Sequence, residues 1–212
     1  MAEATGIRTE RAGGSARARI IAAARRRFFA QGFRGTTMDG LAEELGISKK
    51  TIYSRFPGKA SLIKAVLLDK FKEVEADLDR AVSEGPRGDF FTSLEALLAC
   101  QQRHSEEIRP PFLRDIRLEA PEMLELVEKW RRGLVRLFMG RLLGEGRRAG
   151  IIRKDVPAGL AIDIILGAMQ AVMDPERMEE LGLTRKTGFS CVIRVVLDGL
   201  ITEKGRAIRR GP

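Results

Sequence analysis

Residues 41–59 read LAEELGISKKTIYSRFPGK, and the way this stretch folds decides what the rest of the chain is for. Thr37 stands where a helix N-cap belongs, and Met38, Leu41, Ala42 and Leu45 recur at the spacing of one helical face. Gly46 follows at once. Glycine takes positive φ without a Cβ penalty, so the chain can turn sharply and start a second helix within three residues. Ser48 supplies the cap of that helix, and Ile47, Ile52 and Phe56 point back toward a small core. At about 100° per residue, Lys50 and Ser54 then face outward, with Thr51 and Tyr53 beside them. Nothing on that side needs burial except one face of a tyrosine.

Such a bare cationic, hydroxyl-rich helix after a tight turn is the geometry of a helix-turn-helix, whose second helix fits the roughly 12 Å major groove of DNA. Lys49 and Lys50 can meet phosphates or guanine acceptors, Ser48, Thr51 and Ser54 can hydrogen-bond either, and the Tyr53 hydroxyl can reach a phosphate. Lys59 follows the Pro57-Gly58 break in the first turn of the next helix, where its amine and free backbone N–H groups can face a phosphate. Charge supports the same reading. The 212 residues carry a net +9, but residues 1–68 hold +8 of it, residues 69–202 sum to −2, and the last ten residues add +3. A basic head on a near-neutral body suits a polyanion reader carried by a domain of another kind.

Helical periodicity runs through the remainder, with no convincing alternating strand, so the expected fold is all-α. Residues 1–16 form a small, Arg-dotted leader expected to be flexible. Ile21, Ala24 and Phe28 then mark a first helix from about Arg19 that Gly32 stops. A long helix from Lys59 carries Ile63, Leu67, Phe71, Val74, Leu78 and Val82 up to Gly85-Pro86. FFTSLEALLACQQRHSEE is another helix, Pro110-Pro111 break the chain before a short segment, FLRDIRLEA, and Pro121 opens a long helix expected to stop at the glycines between 144 and 150. Two further helices, about 157–173 and 184–202, have apolar faces broad enough for two neighbours each, one within the subunit and one in a partner.

The run ARIIAAARRRFFAQGFRGTTMDGLAEELGISKKTIYSRFPGKASLIKAVL resembles the N-terminal domain of TetR-type (TetR/AcrR) transcriptional regulators. It carries Phe-x-x-x-Gly, Thr-Thr, Leu-Ala-x-x-Leu-Gly-Ile-Ser, Thr-Ile-Tyr-x-x-Phe and Lys-x-x-Leu at fixed spacing, and departs where Lys49-Lys50 stand in place of the small residue that often precedes the Thr. The resemblance implies a three-helix DNA-binding head over residues 17–66 with its motif at 37–56, and DNA contacts from Thr37, Lys49, Thr51, Tyr53 and Lys59. It also implies a larger helical effector-binding and dimerisation domain over 67–203, a basic tail at 204–212, and a homodimer closed by the last two long helices. A cavity for a largely apolar small-molecule effector follows from the same resemblance. Its candidate lining is Leu94, Leu98, Phe112, Ile116, Trp130, Leu134, Phe138, Met169 and Met173, with His104 and Arg117 as orienting polar groups. The residues alone also read as plain core, a surface or capped histidine, and an arginine paired with Glu119 or Glu122.

Other classes find little support. GEGRRAG at 144–150 has the wrong spacing for a phosphate loop and follows a helix, HExxH, GxxxxGK[ST] and GxSxG are absent, and the one histidine leaves few ways to build a triad. Cys100 and Cys191 belong to no CxxC or Cys/His cluster, so no disulfide framework, metal or cofactor is expected. No apolar run approaches the roughly 20 residues of a membrane span, and the expected home is the cytoplasm. The expected function is a homodimeric repressor that binds a palindromic operator and is released by an effector. The alternative is a basic DNA-packaging protein with no effector, held by its Arg leader and tail.

Overall fold

The computed structural model describes the backbone of residues 6–83 and 89–210. Eleven helices are described, with no sheet among these residues beyond one isolated antiparallel bridge between Ile152 and Ile201. The all-α expectation holds. The chain divides into two compact units, Met1–Glu73 with Glu106–Val127, and Val74–Ser105 with Glu128–Pro212.

The first unit is built on α1 (Gly6–Gln31), α2 (Met38–Glu44), α3 (Lys49–Arg55), the opening turns of α4 (Lys59–Ser83), and α6 (Pro110–Glu119). The first helix thus begins well upstream of Arg19, and residues 6–16 of the leader are helical. Ile20, Ala24 and Phe28 lie fully buried at successive turns of α1, joined by Phe29, Leu41, Ile52, Phe56 and Leu62. Gly32 ends α1 with φ +81°, its N–H donating to the Phe28 carbonyl at 2.8 Å. Space demands a glycine there as well, because an added Cβ would stand 2.3 Å from Asp115 Oδ2. The same buried carboxylate accepts the Arg34 N–H at 2.8 Å, which fixes the turn leading into α2.

Helix α6 is where the sequence expectation and the structure part. Pro110-Pro111 do not merely break the chain; they occupy the first turn of a helix, where a missing N–H costs nothing. Phe112 and Ile116, one turn apart, are buried in the first unit. The Phe112 ring meets Phe29 edge-on at 5.0 Å and Phe33 at 5.9 Å. An ionic cluster lies nearby: Arg25 grips Glu107 through two bonds of 2.7 and 2.9 Å and also pairs with Glu73, while Lys70, its side chain 4% exposed, pairs with Glu107 and Glu73. The Arg25 guanidinium holds the Glu73 carboxyl down at about 2, and burial only partly offsets that pull.

The second unit contains the rest of α4, α5 (Phe90–Glu106, up to Ser105), most of α7 (Pro121–Arg148), α8 (Ala158–Val172), α9 (Pro175–Glu180), α10 (Arg185–Leu200) and α11 (Glu203–Arg210). Its core is Leu78, Phe90, Leu97, Phe138, Leu142, Leu143, Ile152, Ile165, Met169, Ile193 and Leu197. Helix α8 packs on α10, whose start is closed by a capping box between Thr184 and Thr187. The expected stop of α7 comes later than its first glycines, since the helix passes Gly144 and Gly146 and yields only at Gly150, φ +74°. Gly146 is there for close approach: a Cβ would lie 2.6 Å from Ile152 Cγ1 and 2.8 Å from the Phe90 ring. Residues 204–210 of the expected basic tail lie in α11, and the Gly85-Pro86 helix stop lies outside the described residues.

Candidate nucleic-acid interface

Each capping residue read from the sequence does that work. Thr37 is extended (φ −102°, ψ 153°) and its Oγ1 accepts the Gly40 N–H at 3.0 Å. Gly46 turns the chain at φ +61°, and the Ile47 N–H donates to the Ala42 carbonyl at 3.0 Å. Ser48, again extended, accepts the Thr51 N–H at 3.1 Å, so a donor left over at the start of α3 is satisfied by the side chain that also opens its outer face.

Ile52 and Phe56 are buried beneath α3, and Arg17 of α1 lies over the Phe56 ring at 5.2 Å. The opposite side is open. Ser48, Lys49, Lys50, Tyr53, Ser54 and Arg55 are exposed, Tyr53 at 46%, and Thr51 is half-buried. Hydroxyls on this face are already ordered: Ser48 Oγ lies 2.9 Å from Thr51 Oγ1, and Ser54 donates to the Thr51 carbonyl at 2.9 Å. A hydroxyl whose proton is already committed, as on Ser54, keeps acceptor capacity for a base N–H donor and loses little rotamer freedom on binding, whereas a phosphate oxygen has to be met by a donated O–H or N–H.

The cations differ from one another. Lys49 Nζ donates to Asp39 Oδ2 at 2.6 Å, and that bond, with the attraction of the carboxylate, raises the lysine's pKa. Lys50 has no ion pair or hydrogen bond among the described residues. Lys59 sits in the first turn of α4, where its ammonium donates to the Arg34 carbonyl at 3.1 Å and lies 5.9 Å from the centre of the Phe33 ring. Arg55, to which the sequence reading gave no part, is exposed seven residues after Ser48 and so shares its side of the helix. That i, i+7 spacing was the available signal. The Asp39 restraint had none, because it joins two different helices.

The eleven candidate effector residues divide between the two units. Phe112 and Ile116 belong to the first unit's core, and Arg117 is exposed on α6. Glu119, offered as a partner for Arg117, pairs with Arg34 at 3.2 Å. In the second unit Phe138 and Met169 are buried, while Leu94, Leu98, Trp130, Leu134 and Met173 pack half-buried against the same core. The Trp130 indole N–H donates to Glu75 Oε1 at 2.7 Å. His104 is not at the surface: it is 6% exposed, with Nε2 3.0 Å from Asp77 Oδ2.

With the head's geometry in place, relatives give it a context. Residues 20–66 match the profile described as bacterial regulatory proteins, tetR family. A 94-residue stretch, 43% of this chain, is 31% identical to the uncharacterized HTH-type transcriptional regulator TtgW of Pseudomonas putida over 70% of that protein's length. The chain belongs to the TetR family. The HTH-type transcriptional regulator TtgR of Pseudomonas putida is 40% identical over 74 residues, 35% of this chain, and the match spans about a third (35%) of its length. The fold is also similar across nearly the whole chain to SmeT, solved in complex with triclosan, with a TM-score of 0.61, 16% identity, and coverage of 89% of this chain and 93% of that one. The matched residues 20–66 of this TetR-family chain take in the C-terminal part of α1, all of α2 and α3, and the start of α4. Among the described residues no helix is long and apolar enough to cross a membrane.

Proposed function

We propose that this chain is a homodimeric, ligand-responsive repressor that works in the cytoplasm and binds a palindromic operator through residues 37–56. One observation carries the proposal: the outer side of α3 is uncovered, cationic and hydroxyl-bearing, while Ile52 and Phe56 anchor its inner side. Lys50, Tyr53, Ser54 and Thr51 approach base edges and phosphates, and Thr37, Ser48, Lys49 and Lys59 flank them.

The homodimer rests on α8 and α10. Leu160 and Ile164, one turn apart on α8, stand half-exposed, and Val195 on α10 is 73% exposed in a single chain. Gly167 and Gly199 are open beside them, so a second copy can approach closely. Two heads about 34 Å apart then read two half-sites, and the second contact becomes nearly intramolecular.

Effector response draws on the family and on SmeT, which is described as the repressor of the Stenotrophomonas maltophilia multidrug efflux pump SmeDEF and is solved with triclosan. For this chain the lining proposed is the second unit's set, Leu94, Leu98, Trp130, Leu134, Met169 and Met173. An effector that binds the DNA-free arrangement more tightly shifts the long helix beginning at Lys59 and releases the operator. Nuclease footprinting on the DNA upstream of its own coding sequence tests the whole reading. A short protected palindrome is expected; uniform protection with no preferred site would instead indicate the packaging alternative.

A further inference from the structure

We propose that Asp77, Cys100 and His104 form a binding site for a divalent transition-metal ion of the zinc class, within the second unit and independent of the DNA-binding face. Their ligand atoms, a carboxylate oxygen, the Cys100 Sγ and an imidazole nitrogen, all lie within 4.8 Å of one another. Cys100 and His104 are four residues apart on α5 and so project from one side of it, and Asp77 reaches them from α4. Cys100 is 3% and His104 6% exposed.

The spacing fits the ion. Zinc bonds of about 2.0–2.2 Å to nitrogen and oxygen and about 2.3 Å to sulfur give tetrahedral edges of roughly 3.4–3.6 Å. His104 Nε2 already stands 3.0 Å from Asp77 Oδ2, close to such an edge. The Cys100 Sγ lies within 4.8 Å of both, and the ion is expected to draw it in to complete the face. Charge fits too: binding releases the thiol proton, and the thiolate and carboxylate then balance the dication in a poorly solvated place. A thiolate, an imidazole and a carboxylate together suit Zn(II) or Co(II) better than Mg(II) or Ca(II), which want oxygen alone. The fourth position is left for water.

The cluster already draws a cation. Arg103 Nη2 stands 3.4 Å from Asp77 Oδ2 and 3.7 Å from Cys100 Sγ, and Arg80 takes the other carboxylate oxygen at 3.1 Å. The Arg103 side chain is 67% exposed, so it can swing into water and surrender its place to the metal.

The test uses the full chain carrying Cys191→Ser, because Cys191 is an exposed thiol able to bind metal by itself. Under reducing, oxygen-free conditions, Co(II) titration is expected to give a thiolate-to-cobalt charge-transfer band with tetrahedral d–d bands, saturating at one ion per chain. Zn(II) displaces the cobalt and raises the melting temperature. Cys100→Ser abolishes the charge-transfer band, and His104→Gln and Asp77→Asn each weaken binding by roughly tenfold or more. Arg103→Ala tightens it, since the competing cation is gone; a merely structural His104–Asp77 bond predicts no such gain. No charge-transfer band in the Cys191→Ser protein, or cobalt and zinc affinities unmoved by His104→Gln and Asp77→Asn, overturns the proposal even if Cys100→Ser fails to fold.

Discussion

Replacing Lys50 by alanine removes the one cation of the Lys49-Lys50 pair that has no partner of its own among the described residues, and the structure sets the size of the effect to expect. If the Lys50 ammonium meets a base edge, its loss costs about 5- to 150-fold in operator affinity, concentrated on one base position. If it meets a phosphate, affinity falls on every sequence. The slope of log affinity against log salt then becomes shallower by about 0.9 per head, or roughly 1.8 for a dimer. Lys49→Ala should cost less, because that ammonium must first leave the Asp39 carboxylate 2.6 Å away. Asp39→Asn releases it, and is expected to tighten DNA binding and steepen the salt slope. Fluorescence anisotropy on the footprinted operator, at several salt concentrations, reads all of these. A Lys49→Ala loss larger than the Lys50→Ala loss, or a Lys50→Ala protein with the parent's affinity and slope, refutes the assignment of the two lysines.

Ile164→Arg on the exposed side of α8 should turn a dimer into monomers in analytical ultracentrifugation while the helical circular dichroism stays as in the parent; an unchanged mass places the dimer contact elsewhere. The Glu73 carboxyl titrates at about 2 instead of its ordinary 4.5, held down by Arg25. Below about 4.5 the unfolded chain therefore takes up protons that the folded chain refuses, and stability falls as the pH drops toward about 2. Arg25→Met should start less stable and show a shallower acid-dependent fall in melting temperature over that window. Gly146→Ala forces a methyl to within 2.6 Å of Ile152 Cγ1 and 2.8 Å of the Phe90 ring, and should cost about 1–3 kcal/mol in urea unfolding. A silent Gly146→Ala would mean that α5 and α7 are less tightly packed than described.

The head's turns and helix faces are legible in its amino-acid order. Thr37, Gly46 and Ser48 act on neighbours three or four residues away, and the burial of Ile52 and Phe56 against the exposure of Lys50 and Ser54 follows from helical period alone. Such interactions are written within one or two turns of chain, so they are legible without coordinates. Contacts between residues far apart along the chain are set by packing. Pro110-Pro111 looked like a break, but they open a helix whose Phe112 ring packs edge-on against Phe29 and Phe33, and three candidate effector residues thereby fall in the head's own unit. Asp39 meets Lys49 across a turn, and Asp77 meets His104 across 27 positions. Cys100 and His104 were one turn apart from the outset, yet no spacing along the chain shows that a carboxylate from another helix closes the third side. Partners of that kind are chosen by packing, whose free energy depends on which helix faces meet rather than on local order.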